Sequence, residues 1–440
     1  MISITFKKWC CKIKNIILGI DGGCFEGIKH LLRKNALPNL KMLIEEGFSS
    51  TLIETIPPVT IPSWPCLFSG LTPEQLGYCW FDHPEKGLFN SYIWRDKSIF
   101  SIRKLKVFVL NVPGTFPAWE INGEMITGMM SPSINTFPPN LKNKINKNWI
   151  IDGKTIPDIF KAFNIKKNLF LEKLNQDFNI YIYVIRLPDS ISHHSHLDTK
   201  YILKYLDYGY KKIDNFLGEI IKNYDFDNIL IFSDHGLKFY NYEFNISRWL
   251  EKKRLLFINK SSKQKAFSLI TKSYDFFRPF LKINYQIYNK IKKRFLNEHK
   301  KTDNLNNKEV SKAHSYFSNV GGIFLGNKDK IKKKLIINSL KQENKIESVI
   351  EPNIIGFPDL FIILNEKYLF NSKSSYFVIR RRNSINHTDN GFFIAYGKNI
   401  KKGKTKMISY LKIAPTILKL NRYPIPDHMQ SRPLDIIEFD

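Results

Sequence analysis

Short runs of β-branched and other apolar residues recur along this chain, and three of them run into an acidic residue. Ile16 to Ile20 leads directly to Asp21, Tyr181 to Ile185 is followed by Asp189, and Ile229 to Phe232 is followed by Asp234. Further runs lie at 107–112, Leu360–Leu364, 376–379 and 392–395, with helix-like stretches at 25–46, 200–224 and 406–420. Near-continuous apolar strands alternating with helices predict an α/β fold with a mostly parallel central sheet covered by helices on both faces. In such open sheets, ligands bind beyond the carboxyl ends of the strands. Three independent acidic positions obey that one rule.

A chain of 440 residues can bury a large core, and length alone suggests two or three domains. The expected division is a catalytic α/β domain formed by residues 1–240 and 315–440, interrupted by an insertion at 241–314. Within it, residues 251–300 hold 14 Lys or Arg against three acidic residues, interleaved with Phe267, Phe276, Phe277, Phe280, Tyr285, Tyr288 and Phe295. This segment reads as a mostly helical insert, a candidate cap over the site. Basic charge alternating with aromatics also suits an anionic membrane surface, with nucleic acid the less favoured partner. The formal charge of +28 is spread along most of the chain. That spread fits a Lys-rich bias and attraction of phosphate substrates better than one dedicated polyanion site.

The five cysteines, Cys10, Cys11, Cys24, Cys66 and Cys79, crowd into the first fifth of the chain. An odd set without zinc-finger spacing is expected to be reduced thiols in a cytoplasmic protein. Residues 16–20 are too short an apolar run for a signal peptide, and no stretch of 18 apolar residues occurs.

Thr60 is bracketed by Pro57, Pro58 and Pro62. A residue before proline is pushed out of the helical region, whereas proline is welcome in a first helical turn. The sequence Pro62-Ser-Trp-Pro-Cys-Leu-Phe-Ser-Gly70 therefore predicts a short helix starting just after the threonine. The hydroxyl then lies near a helix N-terminus, where free backbone N–H groups favour an anion.

Gathered in space, Asp21, Thr60, Asp189, His193, Asp234, His235 and His387 supply three carboxylates, three imidazoles and a hydroxyl. Two metal ions roughly 3.5–4 Å apart can clamp the attacking and leaving oxygens of a phosphate ester, whose own charge repels nucleophiles. A threonine hydroxyl is a poor nucleophile until activated by such a site. The ligand types suit Zn2+, with Mn2+ or Fe also compatible. Singly, each motif has a plainer reading: an Asp after a strand often caps the next helix, and a lone His387 is often structural. Asp189 and His193, four apart, can meet across one helical turn.

In their order along the chain, these motifs resemble the alkaline phosphatase superfamily, in its type I phosphodiesterase/nucleotide pyrophosphatase branch, and are most similar to prokaryotic members. The resemblance is carried by Ile-Asp21-Gly-Gly, Thr60-Ile-Pro-Ser-Trp with the following Ser69-Gly-Leu-Thr-Pro-Glu-Gln-Leu-Gly, Ser-Asp234-His-Gly-Leu, and His387-Thr-Asp-Asn-Gly-Phe-Phe-Ile-Ala-Tyr-Gly. Asn111-Val-Pro-Gly-Thr-Phe-Pro and Ile413-Ala-Pro-Thr-Ile-Leu support it. It implies one metal on Asp189, His193 and His387, and a second on Asp21, Asp234 and His235 together with the nucleophile Thr60. It also implies a covalent phospho-threonine intermediate. Nucleotide pyrophosphatases carry an asparagine shortly after the glycine matching Gly77, where this chain reads Tyr78-Cys-Trp-Phe-Asp. The Cys-x-Pro-x-Arg pattern of sulfatases is absent around Thr60. The expected activity is metal-dependent hydrolysis of phosphodiester or pyrophosphate bonds in a small phosphate-ester substrate. A phosphotransferase, mutase or phosphomonoesterase on the same scaffold shares the intermediate and stays open, as does a non-catalytic docking protein.

Overall fold

The computed structural model describes residues 14–53, 55–145, 147–194, 198–255, 310–325, 330–373 and 377–439. Most of the basic 251–300 segment, and with it the expected cap, lies outside those residues, as do Cys10, Cys11 and His196. No disulfide joins Cys24, Cys66 and Cys79, all buried. Among the described residues, no helix is long and apolar enough to cross a membrane.

The contacts divide the chain into two units, one of 1–239, 354–357 and 384–440, the other of 240–353 and 358–383. The second unit thus runs further along the chain than the 241–314 insertion read from the sequence.

A nine-stranded sheet organises the first unit. In spatial order its strands are Gly403–Ser409, Phe48–Ile53, Asn390–Gly397, Asn228–Phe232, Asn15–Ile20, Ile180–Ile185, Val107–Leu110, Gly123–Ile126 and Thr136–Phe137. Only Asn390–Gly397 and Thr136–Phe137 run against the others, so the mostly parallel α/β sheet expected from the sequence is present. The central strands are buried on both faces, which is why they read as continuous apolar runs.

Alternate side chains feed two separate cores. On one face Ile17, Ile182, Val184, Leu230 and Phe232 pack with Trp64 and Phe68 of helix Thr60–Ser69 and with Ile413 and Ile417 of helix Ile413–Leu420. On the other, Ile16, Leu18, Tyr183, Ile229 and Ile231 pack with Ile28, Leu40, Phe170 and Phe216 from the helices Phe25–Arg33, Pro38–Glu46, Ile156–Lys173 and Thr199–Asn223.

Two helix expectations are corrected. The 25–46 stretch is two helices, because Asn35 adopts a left-handed conformation (φ 51°) and Pro38 opens the second helix. Within 406–420, Ile413–Leu420 is the α-helix and Tyr410–Lys412 a 3-10 turn before it, whereas the residues up to Ser409 belong to the edge strand Gly403–Ser409, paired parallel to Phe48–Ile53. Its exposed Lys404 and Lys406 are the kind of charge that keeps a sheet edge from pairing with another chain.

The second unit holds the antiparallel sheet Val310–Ser315, Val320–Leu325, Leu360–Leu364 and Ile346–Ile350. Its core includes Phe244, Trp249, Ile323, Leu360 and Phe370. The Leu360–Leu364 run is therefore a strand, but one outside the central sheet.

Candidate active site

Every candidate residue from the first unit's sheet lies at one end of that sheet. Asp21, Arg186 and Asp234 follow the parallel strands Asn15–Ile20, Ile180–Ile185 and Asn228–Phe232, which are neighbours. Phe48–Ile53 runs the same way, so Thr60 lies beyond its carboxyl end. Asn390–Gly397 runs oppositely, so the residues preceding it, His387 among them, lie at that same end.

Backbone contacts lock the three central turns together. Asp21 N donates to Ile185 O at 2.9 Å, and Asp189 N donates to Asp21 O at 3.1 Å. Gly22 has a φ of 77°, and a Cβ there would lie 3.2 Å from Asp189 N and 3.2 Å from the Leu237 side chain. The glycine after Asp21 thus permits both the left-handed turn and the approach of the Asp189 turn. At Gly236 an added Cβ would meet Asn390 O at 2.2 Å, which accounts for the glycine following His235.

Five of the seven candidates converge. The ligand atoms of Asp21, Asp234 and His235 lie within 4.8 Å of one another, and so do those of Asp189, His235 and His387. All five are buried. His235 therefore belongs to both groups, with its Nε2 3.3 Å from Asp21 Oδ1, 3.5 Å from Asp234 Oδ2 and 3.9 Å from Asp189 Oδ1. His193 reaches the cluster from its rim: Nε2 is 3.2 Å from Asp189 Oδ1, with the side chain 44% exposed. Thr60 is buried in the first turn of its helix, and Ile61 beside it keeps an extended conformation, as the flanking proline predicts. Its link to the cluster runs through the carbonyl oxygen of Pro58, which lies 3.0 Å from His387 Nδ1.

Two observations fit this arrangement to a bound cation. Asp21 Oδ1, Asp234 Oδ2 and His235 Nε2 are buried, face one another and make no hydrogen bond. Such atoms are normally paired, because leaving a buried polar group unsatisfied costs about 1–3 kcal/mol. Burial and the neighbouring Asp21 carboxylate push the pKa of Asp234 well above its usual range. Burial opposes charge on His235, yet Asp234 and Asp21 beside it raise its pKa to about 10. Burial and the nearby His235 push His387 down to about 4. A neutral His387 can donate to only one of its two oxygen neighbours, Pro58 O at 3.0 Å or Asp189 Oδ1 at 3.1 Å. A cation between Nε2 and Asp189 resolves that conflict. Imidazole and carboxylate donors in this mixture suit a divalent metal, so the residues present fit one.

One member of the site escaped sequence reading. Arg186, only 12% exposed, donates from Nε to Asp21 Oδ2 at 3.0 Å, from Nη2 to Asp189 Oδ2 at 3.1 Å, and from Nη1 to Asp152. Its signal was a charge directly after a strand and three residues before Asp189.

Residues 15–377 match the family described as "Type I phosphodiesterase / nucleotide pyrophosphatase". The chain belongs to that family. It is accordingly a phosphodiesterase/nucleotide pyrophosphatase-type hydrolase of the alkaline phosphatase superfamily, and the family is metal-dependent. His387 lies beyond the matched span, so its place in the cluster rests on the geometry given above. No curated protein sequence matches. Among solved structures, murine ectonucleotide pyrophosphatase/phosphodiesterase 5, in an inactive form in complex with AMP, is 13% identical, with a TM-score of 0.58 over 94% of this chain and 96% of its own. The murine protein without that description gives 0.57, and human ectonucleotide pyrophosphatase/phosphodiesterase 5 gives 0.54, both at 13% identity and the same coverage. At that identity the likeness bears on the fold.

Proposed function

We propose that this family member cleaves phosphodiester or pyrophosphate bonds through a phospho-threonine formed on Thr60, at a site holding two divalent ions. The observation that carries the reading is the buried convergence of Asp21, Asp234 and His235 with Asp189 and His387, whose inward-facing atoms lack hydrogen-bond partners in the first set. Asp21, Asp234 and His235 would hold one ion, and Asp189 with His387, His193 and the shared His235 the other. Zinc fits the donor set, and manganese or iron is compatible with it. When bound, such ions supply the positive charge that stabilises the reacting phosphate.

The chain's own part is nucleophilic. Thr60 Oγ attacks phosphorus as its proton passes to water, and the bond to the leaving oxygen breaks. Water then attacks the phospho-threonine, the P–Oγ bond breaks, and Oγ regains a proton. Thr60 opens its helix, and the positive end of the helix dipole supports a phosphate held there. The Pro58–His387 bond supports a fixed position of the nucleophile loop against the ligands.

The test is hydrolysis of bis-p-nitrophenyl phosphate against p-nitrophenyl phosphate, with added zinc or manganese, for the native protein and Thr60→Ala. Diester turnover that vanishes in the variant while metal content is unchanged is expected. Turnover retained in Thr60→Ala would remove the threonine from the mechanism. Preference for the monoester would replace the diester assignment.

A further inference from the structure

We propose that Arg186 is a positioning residue, which holds Asp21 and Asp189 so that each turns a single oxygen, Oδ1, toward the metal ions. The inference rests on the two-metal reading above and assigns a role to a residue outside the ligand set.

The geometry divides each carboxylate in two. Asp21 gives Oδ2 to Arg186 Nε at 3.0 Å, while its Oδ1 faces His235 Nε2 at 3.3 Å. Asp189 gives Oδ2 to Arg186 Nη2 at 3.1 Å, while its Oδ1 faces His387 at 3.1 Å and His193 at 3.2 Å. The outer nitrogen of the same guanidinium is anchored on Asp152. A guanidinium is planar and its donors point in fixed directions, so these three contacts fix the angle between the two carboxylates. One of them serves each ligand group, so Arg186 spans both. A carboxylate held by one oxygen cannot chelate an ion with both.

A cation here is electrostatically unfavourable to metal binding, which makes a purely attractive role for its charge insufficient. What an arginine adds, and a lysine does not, is the fork. Partners that orient ligands in this way typically contribute ~10–100-fold to metal affinity or activity.

The test titrates the metal-free full-length protein with zinc by calorimetry, alongside Arg186→Lys and Asp152→Asn, with thermal melts as a check on folding. The native protein is expected to bind two ions per chain. Arg186→Lys, which keeps the charge, is expected to weaken both ions together, by ~10–100-fold. Cobalt-loaded Arg186→Lys is expected to absorb less strongly in the visible, because carboxylates freed to chelate raise the coordination number. Asp152→Asn keeps the arginine but releases its anchor, and is expected to weaken both ions to a smaller extent. It decides the matter if the lysine variant does not fold. Native affinities and cobalt spectrum in both variants would overturn the role of Arg186 while leaving the two-metal reading intact. A native protein that binds fewer than two ions would overturn that reading, and this inference with it.

Discussion

The Nδ1 of His387 lies 3.0 Å from the carbonyl oxygen of Pro58, two residues before Thr60. With the proton on Nδ1 and donated to that carbonyl, the lone pair of Nε2 points at Asp189 Oδ1, 3.1 Å away. Two acceptors at that separation repel each other, and a cation shared between them would offset the repulsion. The same bond ties His387, a proposed ligand, to the loop of Thr60, the proposed nucleophile, so metal binding and the placement of Thr60 are expected to be coupled.

His387→Gln tests this coupling. The amide keeps a donor for Pro58 O but offers a poor metal donor, so zinc content is expected to fall by one ion per chain. Diester hydrolysis should drop at least ~10-fold. Elemental analysis after dialysis, beside the rate assay, checks both; native zinc content would remove His387 from the ligand set.

Removal of metal should destabilise the protein. Three carboxylates, Asp21, Asp189 and Asp234, are buried within one cluster, where Arg186 pairs with the first two. An ion that binds the folded state alone adds about 2.7 kcal/mol at a free concentration 100 times its Kd. Thermal melts of the EDTA-treated protein are expected to rise with added zinc and to saturate. A melting temperature independent of zinc would contradict the site.

Gly22→Ala places a Cβ at a φ of 77°, 3.2 Å from the backbone nitrogen of Asp189. A non-glycine residue held in such a conformation costs about 1–3 kcal/mol. Denaturant unfolding should register that loss. Because the neighbour that must shift carries Asp189, zinc affinity should fall as well.

Lys166 offers a pH-dependent test away from the ligands. It is buried, donates to Asn111 Oδ1 at 2.9 Å and Ile151 O at 2.7 Å, and burial lowers its pKa to about 7. The unfolded chain binds this proton up to about pH 10.4, whereas the folded chain releases it above about 7. Stability therefore rises with pH across that window, by up to about 1.4 kcal/mol per unit, and the destabilisation is complete below it. Lys166→Met leaves two carbonyl oxygens without this donor, a loss that does not vary with pH. The native and variant unfolding curves should diverge in slope between pH 7.5 and 10, with the variant flatter. Parallel curves would mean that Lys166 stays charged when folded.

Sequence reading reached the sheet because its central strands are buried on both faces and so leave unbroken apolar runs. It reached Asp21 and Asp234 because each follows such a run within two residues, and Thr60 because prolines dictate where its helix begins. It misread 406–409 because a charged edge strand with a single buried residue, Ile408, carries no strong period. It passed over Arg186 because a charge after a strand has many uses, and only the approach of Asp21 and Asp152 gives it one.

The chain by itself determined which residues can bear the chemistry and the end of the sheet on which they lie, since both follow from local spacing and strand direction. The tertiary structure alone decided how they are shared: His235 stands between two groups, His193 at the rim, and one guanidinium across Asp21 and Asp189. Those relations join residues up to 366 positions apart, from Asp21 to His387. No local propensity encodes distances over such separations; the packing of neighbouring strands sets them.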